Sequence, residues 1–322
     1  MRKKNIIAFT VLIIAFLTIV AVYIGGEKKR VVIKTRQETI PKDAVKGVAG
    51  TDSFPPILQS DDWQPPVPMP GPINTAGAED SPFITANGTQ FYFFFTLDVR
   101  VPVEKQLIDG VTGIWWSKRL GDNWTEPTRI ILNDDVSMDG AEFIQRNTMW
   151  FGSVRVGNYR EIDVYTAQYR DDEWKDVTNA GKQLNVDYDI GEFCLSADEK
   201  TLYFGRGNAS RDIWSLQKND GSWGNLRKVP KINSDDLSED QPFVTPDGNE
   251  LWFTGQSRKG YPGPAIYRSI WNMTEWGAPT EIISSFAGEP VLDSNGNIYF
   301  VHHFYSKDGK MIEADIYVSY RK

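Results

Sequence analysis

Residues 241–253 read QPFVTPDGNELWF, and the short motifs AIY (265–267) and EW (275–276) follow them. Motifs of the same kind recur in the same order three more times, beginning at Pro82, Glu142 and Glu192. A fifth copy begins at Pro290 but ends before it reaches a tryptophan. The missing Asp-Trp pair stands near the start of the chain, at residues 62–63. A period of about 50 residues indicates a repeat architecture, and a divided last copy indicates a closed ring.

Each copy divides into four short strands. Three copies carry Asn-Gly or Asp-Gly after the first strand, the strongest short-range signal of a hairpin. An aromatic second strand follows, then a third strand of the Asp-Ile-Trp type, then a fourth that begins at a tryptophan. Four strands per repeat are typical of propeller blades. We therefore predict an all-β, five-bladed β-propeller over residues 62–322, with Trp63 and its neighbours supplying the outermost strand of the last blade.

One tryptophan per blade indicates packing between neighbouring sheets rather than a binding role. These residues are Trp63, Trp124, Trp174, Trp223 and Trp276.

The repeat resembles that of the WD40-like (PD40, TolB-type) β-propeller family. The resemblance rests on residues 243–253 and on Asp-Ile-Trp and Asp-Ile-Tyr at 212–214 and 315–317, and it covers about residues 62–320. Two copies depart from it, because the turns at 145–147 and 199–200 lack glycine. The family includes both binding modules and propeller domains attached to enzymes, so the resemblance implies a fold and leaves the activity open.

The N-terminus differs from the rest in composition. Residues 6–24 are apolar except for two threonines, about the length that a helix needs to cross a bilayer. We predict that residues 1–26 form an uncleaved signal anchor; a cleaved signal peptide is the alternative. Residues 27–61 are polar and aperiodic, which predicts a flexible tether. We expect a membrane-anchored protein with an extracytoplasmic propeller.

Composition excludes several functions for this chain of 322 residues. The formal net charge of −8 disfavours nucleic acid as a partner. Cys194 is the only cysteine, so an intrachain disulfide and a cysteine metal site are excluded, and a buried thiol is expected. No Gly-x-Ser-x-Gly nucleophile elbow is present. We expect a monomer that binds a protein, peptide or glycan ligand on a propeller face.

Acidic residues recur at the start of the predicted innermost strands, which line the channel of a propeller. They predict a ring of carboxylates at one channel mouth, comprising Glu79, Asp80, Asp139, Glu142, Asp189, Glu192, Glu239, Asp240 and Glu289. Basic residues in the loops between second and third strands should lie on the same face. These are Arg155, Arg206, Arg258, His302 and His303, with Arg160, Arg211 and Lys259 nearby.

Several roles for these acids stay open. Acids before strands often accept backbone N–H bonds, and pairing with the loop arginines would leave no free site. A charged mouth would serve a binding or scaffolding module. Two carboxylates about 5–10 Å apart would instead serve a glycoside hydrolase, although acids that recur blade by blade do not resemble an asymmetric catalytic pair. A carboxylate ring could also bind Ca²⁺. His302 and His303 are adjacent and cannot share one metal on a strand.

The second-to-third-strand connection of the first blade, residues 97–113, is unusually long. It predicts either an extra hairpin over the channel mouth or a docking element for a partner.

Overall fold

A computed structural model describes residues 34–132, 137–208 and 210–322. The predicted signal anchor, residues 1–26, lies outside these ranges. Within them, no helix is both long and apolar enough to cross a membrane.

The described N-terminal segment carries four short elements before the first blade. Helix α1 (Arg36–Thr39) is followed by a 3₁₀ turn (Ala49–Thr51) and by the two-residue strands β1 (Ile57–Leu58) and β2 (Val67–Pro68). Thr35 caps α1, and Glu38 completes a capping box by accepting from the Thr35 backbone N–H.

Five antiparallel sheets follow. The first blade consists of β3 (Ala78–Ile84), β4 (Gln90–Thr96), β5 (Gly113–Leu120), β6 (Asn123–Trp124) and β7 (Thr128–Arg129), with helix α2 (Val103–Gln106) between β4 and β5. The second consists of β8 (Met138–Gln145), β9 (Thr148–Val154), β10 (Asp163–Arg170) and β11 (Glu173–Asn179). A π-helical turn (Gln183–Asp187) leads to the third blade.

The third blade consists of β12 (Phe193–Leu195), β13 (Thr201–Arg206), β14 (Asp212–Asn219) and β15 (Ser222–Lys228). The fourth consists of β16 (Glu239–Val244), β17 (Glu250–Gln256), β18 (Pro264–Ile270) and β19 (Thr280–Ser284). The fifth consists of β20 (Ala287–Leu292), β21 (Ile298–Tyr305) and β22 (Met311–Ser319).

The sheets form a ring. The inner strands β3, β8, β12, β16 and β20 each contact the inner strands of both neighbouring blades. The all-β, five-bladed propeller predicted from the repeats is therefore confirmed. We call the face where inner strands begin the upper face, and the face where they end the lower face. The second-to-third-strand loops share the upper face, and the first-to-second-strand turns share the lower face.

N-terminal residues complete the outer edge of two blades. Strand β2 pairs with β22, and Trp63 bridges Arg321, so the fifth blade gains its outermost strand from the start of the propeller as expected. Strand β1 also pairs with β19 and adds a fifth strand to the fourth blade, which the sequence did not indicate. Both pairings cover backbone groups that an open sheet edge would leave unpaired.

Tryptophans pack between adjacent blades, as expected. Trp174 lies against Tyr92 of the first blade, with ring centroids 6.5 Å apart. Trp276 lies 6.1 Å from Tyr203 of the third blade. Trp63 occupies the same kind of position at the closure, 5.6 Å from the ring of Trp252.

Four inner strands share a bulge that the sequence did not reveal. Ser81, Ala141, Gln241 and Glu289 have positive φ angles between 45° and 55°, and the pairing register shifts around each of them. None is glycine, so no turn residue marks the position. The bulge changes which side chains face the channel.

The described part of the predicted tether is packed on the propeller. Arg36 is fully buried, and β1 joins the fourth blade. This differs from the flexible tether predicted for residues 27–61. Specific ion pairs and hydrogen bonds, described below, hold this polar segment although it has no apolar periodicity.

The structure of the long connection in the first blade rules out one of the two alternatives predicted for it. Residues 97–113 contain the short helix α2 instead of an extra hairpin. Arg100 in this loop is held by Asp98 and contacts Asp43 of the N-terminal segment at 3.3 Å, so the loop contacts another part of the same chain.

Candidate functional site

Three of the predicted upper-face acids are buried in ion pairs. Both carboxylate oxygens of Asp139 accept hydrogen bonds from Arg155 at 3.0 Å, and one of them also accepts from the Ser153 hydroxyl. Glu239 accepts from Arg258 at 2.8 Å. The structure therefore brings these predicted acids and bases together, and neutralises them within their own blades. Fixed pairs of this kind leave no free carboxylate to meet a ligand.

Glu79 has the same arrangement, but its arginine comes from the N-terminal segment. Arg36 donates to Glu79 Oε1 at 3.0 Å and to the carbonyl of Ile73 at 2.7 Å. Its guanidinium lies 5.2 Å from the centre of the Phe93 ring, much as Arg155 lies 5.9 Å from Phe151 in the second blade. Arg36 thus replaces the loop arginine that the first blade lacks at this place. Burial raises the pKa of Glu79 to about 7, against the opposing charge of Arg36.

Other predicted residues lie away from the channel. The Asp189 side chain is 58% exposed and pairs with Arg160 on the surface. Arg206 ends β13 and lies over the ring of Trp214. These two residues stay predicted binding residues, but the structure does not place them with the channel acids.

The two histidines lie inside β21, not in a second-to-third-strand loop as expected. His302 is buried, with Nε2 2.8 Å from Asp52 Oδ2 of the N-terminal segment. His303 faces the other way, with Nε2 3.8 Å from Asp80 Oδ2. The alternation of side chains along a strand explains why the pair divides between two environments.

A second set of acids lines the central channel one step deeper. A cavity of about 70 Å³ lies on the axis between all five inner strands. Glu142, Glu192 and Glu289 line it, together with Gln241 and three prolines. The cavity has room for about two water molecules or one small charged group. We call these three glutamates the channel acids.

Glu142 is the channel acid whose carboxyl group lacks hydrogen bonds to other described residues. Its residue is only 6% exposed, and neither carboxylate oxygen has a hydrogen-bond partner from another described residue. Its nearest opposing charge is the buried Arg129, whose own hydrogen bonds go to backbone carbonyls such as that of Thr112 at 2.8 Å. A buried carboxyl without a partner is costly, because both of its oxygens have lost water. Glu142 is therefore the channel acid whose carboxyl group most needs a further hydrogen-bond donor.

Burial and neighbouring carboxylates raise the pKa values of all three channel acids. Burial raises the pKa of Glu142 to about 8. Burial and the charge of Asp240 raise the pKa of Glu192 to about 8. The pKa of Glu289 is raised well above its usual range by burial and by the charges of Asp80 and Glu192. At neutral pH the channel therefore holds carboxylic acids that can ionise when a cation arrives.

Asp80, which contacts the channel acid Glu289, has the opposite pKa shift. Burial opposes its charge, but hydrogen bonding and attraction from His303 lower its pKa below the ordinary value. Glu289 contacts Asp80 as well as Gln241, whose Nε2 donates to Glu289 Oε1 at 2.6 Å. Asp240, on the next blade, is held by Arg211 Nη1 at 2.7 Å. The pKa of Asp80 is thus lowered while the pKa values of the three channel acids are raised.

Below the channel acids lies an aromatic belt. On each inner strand its member directly follows Glu142, Glu192 or the proline that takes the same place in the other three blades. Its members are Phe83, Phe143, Phe193, Phe243 and Val291. Phe83 and Phe143 meet edge to face, with ring centroids 5.6 Å apart. The belt is the Pro-Phe and Glu-Phe motif of the repeats, which indicated only a strand in the sequence.

Beneath the belt, the channel widens into a second cavity of about 520 Å³ at the lower face. Phe83, Phe143 and Phe243 line both cavities, so the belt is their common boundary. This lower cavity was not predicted, because the apolar inner-strand residues that form most of its wall indicated only a buried strand in the sequence.

Metal and thiol chemistry find no support in the described ranges. No group of three or more His, Cys, Asp or Glu side chains there is arranged to hold a metal ion, which leaves the calcium hypothesis without a site. Cys194 is buried as expected, and burial raises the pKa of its thiol to about 12. A thiol with so high a pKa is a poor nucleophile.

No family model and no curated protein matches the chain. Among solved structures, the chain is similar to TolB from Acinetobacter baumannii, with 14% identity and a TM-score of 0.41 over 76% of this chain and 55% of that one. It is similar to a thermostable family-43 glycoside hydrolase, with 11% identity and a TM-score of 0.48 over 77% and 91% of the two chains. A gluconolactonase from Xanthomonas campestris gives 13% identity and a TM-score of 0.42 over 76% and 72%. The chain thus spans little more than half of the TolB chain that it matches.

Proposed function

We propose that the protein is a binding module whose central channel takes a cationic group of its ligand. In this proposal residues 1–26 anchor it in a membrane, the propeller lies outside the cytoplasm, and its repeats belong to the WD40-like family that they resemble. The proposed site lies deeper than the charged channel mouth expected from the sequence, because the acids at that mouth are already paired with arginines.

The observation that supports this proposal is the state of Glu142. A carboxyl that is buried, unpartnered and next to two other glutamates favours a ligand that brings positive charge or hydrogen-bond donors. An ammonium group supplies three donors in a compact volume, which suits a cavity of about 70 Å³. An anionic group would be repelled by the charge of Asp80, which contacts Glu289 beside the cavity.

Calorimetric titration tests this proposal. The full chain in lipid nanodiscs is titrated with ethylammonium, with acetate as the oppositely charged control. We expect ethylammonium to bind and Glu142→Gln to weaken it at least tenfold, since a charged hydrogen bond is worth about 1.5–3 kcal/mol. Glu173→Gln, an exposed acid on the outer strand of the same blade, is the matched control and should leave binding unchanged. Equal binding by wild type and Glu142→Gln would contradict the proposal.

A glycoside hydrolase is the second candidate, and one observation favours it. The pKa of Asp80 is lowered while those of Glu142 and Glu192 are raised, which is the division that general acid–base catalysis requires. A panel of aryl glycosides tests it by release of the aryl alcohol. Hydrolysis that is lost in Asp80→Asn or Glu142→Gln alone, and retained in Glu173→Gln, would establish catalysis and overturn the binding-only function.

A further inference from the structure

The lower cavity has the size and lining of a ligand site. Its volume of about 520 Å³ falls in the range of cavities that bind small molecules. Apolar side chains from several blades dominate its wall, among them Ile84, Ile144, Leu195, Val244 and Leu292. An open apolar cavity of this kind favours the hydrocarbon part of a ligand.

The lower cavity opens to solvent. Its rim includes Asn87, Ala197 and Pro246, which lie in first-to-second-strand turns and are exposed. The charged residue of the lining, Arg146, pairs with Glu199 at 3.4 Å. A cationic ligand would therefore meet little repulsion at this opening.

The aromatic belt joins this apolar cavity to the channel acids. Four phenylalanines lie at the boundary between the two cavities, and aromatic rings attract cations as well as alkyl chains. A molecule that extends along the axis would meet hydrocarbon, then aromatic rings, then carboxyl groups. The order of these three zones specifies an amphipathic ligand with its charge at one end.

We infer that the channel binds an alkylammonium ligand from the lower face, with the ammonium at Glu142 and the alkyl chain in the lower cavity. This inference rests on the proposed function, since it names the ligand class of the same site. It adds the direction of entry and the requirement for an apolar chain. The carboxyl group of Glu142, beyond the apolar cavity, distinguishes this ligand from a sugar, which would place hydroxyls against the aliphatic wall.

A chain-length series tests the inference on the full chain in nanodiscs, with Glu142→Gln in identical nanodiscs correcting for partition into lipid. Dissociation constants are measured for ethyl-, butyl- and hexylammonium, with hexanol and hexanoate as uncharged and anionic controls. We expect the Kd to fall about fourfold for each added methylene that leaves water. Hexanol and hexanoate should bind at least tenfold more weakly than hexylammonium.

Ala197→Trp fills the rim of the lower cavity from an exposed turn, so it should not disturb folding. We expect it to weaken hexylammonium at least tenfold while ethylammonium changes little. Asn249→Trp, at an exposed position in the corresponding turn of the fourth blade that does not line the cavity, is the control and should change neither.

The outcomes separate this inference from the proposed function. If ethylammonium binds but the Kd is flat across the series, the alkyl-chain assignment is wrong and the cation site stands. If no amine binds, both fail. If hexanol binds as tightly as hexylammonium, the cavity recognises hydrocarbon alone and the assignment of the ammonium to Glu142 is wrong.

Discussion

At the residue scale, the inner strands distinguish what is repeated from what is unique. The upper-face acids Glu79, Asp139 and Glu239 recur with an arginine each, and they serve the structure of their blades. The channel position one bulge further on is glutamate in two adjacent blades, at 142 and 192, and proline in the other three. The channel acids are therefore asymmetric about the axis, as a site for one ligand must be.

The raised pKa of Glu142 predicts a dependence of folding stability on pH. Its pKa is about 8 in the folded protein and near 4.5 when unfolded, so the folded state is favoured while the group is protonated. This contribution is present below pH 4.5 and is lost as the pH rises through 8. The free energy of unfolding of the wild type should fall between pH 5 and pH 9. In Glu142→Gln this fall should be smaller by on the order of 3 kcal/mol. Urea unfolding at both pH values measures this difference.

Glu173→Gln serves as the control in these unfolding experiments, because its side chain is 72% exposed. It should follow the wild-type pH dependence. An identical dependence in wild type and Glu142→Gln would show that Glu142 ionises in the folded protein as freely as in water.

The same group predicts a dependence of amine binding on pH. An ammonium ion favours the ionised form of Glu142, so binding near pH 7 should release a proton. We expect the Kd of ethylammonium to fall by up to tenfold per pH unit between pH 6 and 8 and to level off above. Asp80, Asp139 and Arg129 influence Glu142 electrostatically, and Glu192, whose pKa is also raised to about 8, titrates in the same range. Loss of the slope in Glu142→Gln therefore assigns the proton to Glu142. Calorimetry in buffers of different ionisation heat counts the proton released.

At the element scale, the N-terminal segment acts as part of the upper face. Besides Arg36, it contributes Lys46, whose Nζ lies 2.8 Å from Glu313 and also contacts Asp315, and Asp52, which holds His302. Its path therefore crosses from the first blade over the fifth, and β1 then reaches the fourth. A polar segment without periodicity can be ordered in this way because its partners are buried charges of the propeller.

Arg36→Met should release this segment. It leaves Glu79 buried without its cation, a loss of about 3–5 kcal/mol for a buried pair. We expect lower thermal stability and faster proteolysis within residues 37–56. Lys310→Met removes an exposed cation that pairs with the exposed Asp308 in an upper-face loop, and it should cost at most about 1 kcal/mol. Adding Glu79→Gln to Arg36→Met should restore part of the loss; an unchanged double variant would show that the pair itself is not the cause.

Sequence patterns predicted the elements that repeat and missed those that do not. The hairpin turns and aromatic strands recur, so five copies reinforced one interpretation. The bulge at Ser81 and Ala141 carries no glycine, and the strand β1 is only two residues long, so neither has a periodic signal. The Thr35-x-x-Glu38 spacing of a capping box is a local signal of a helix start that the tether prediction did not use.

The sequence predicted which acids belong to the candidate site but not how deep in the channel they lie. Glu142, Glu192 and Glu289 were among the expected mouth acids, yet their distinction from Glu79 and Asp139 depends on burial and on which acids find arginines. Those contacts join residues far apart in the chain. A single sequence does not reveal such contacts.

At the scale of the whole molecule, closure of the ring depends on a contact between the two ends of the folded chain. The Trp63 ring packs on Trp252 of the fourth blade, Arg321 lies 4.2 Å from the ring centre, and Nε1 donates to the Gly296 carbonyl at 2.8 Å. One side chain thus joins the fourth and fifth blades to the N-terminus. In a ring, loss of such a contact exposes two sheet edges at once.

Trp63→Ala should therefore destabilise the whole propeller. Deleting a fully buried tryptophan costs about 3–5 kcal/mol from lost packing alone, and the freed Gly296 carbonyl adds to that cost. Trp174→Ala removes the equivalent side chain inside a covalently continuous blade, where the ring is only partly buried, and should cost less. Thermal unfolding followed by circular dichroism compares the two variants. Because the closure contact joins all five blades into one ring, Trp63→Ala should lower the transition midpoint while the transition stays single; a separate early transition of the fifth blade would show instead that the blades unfold independently.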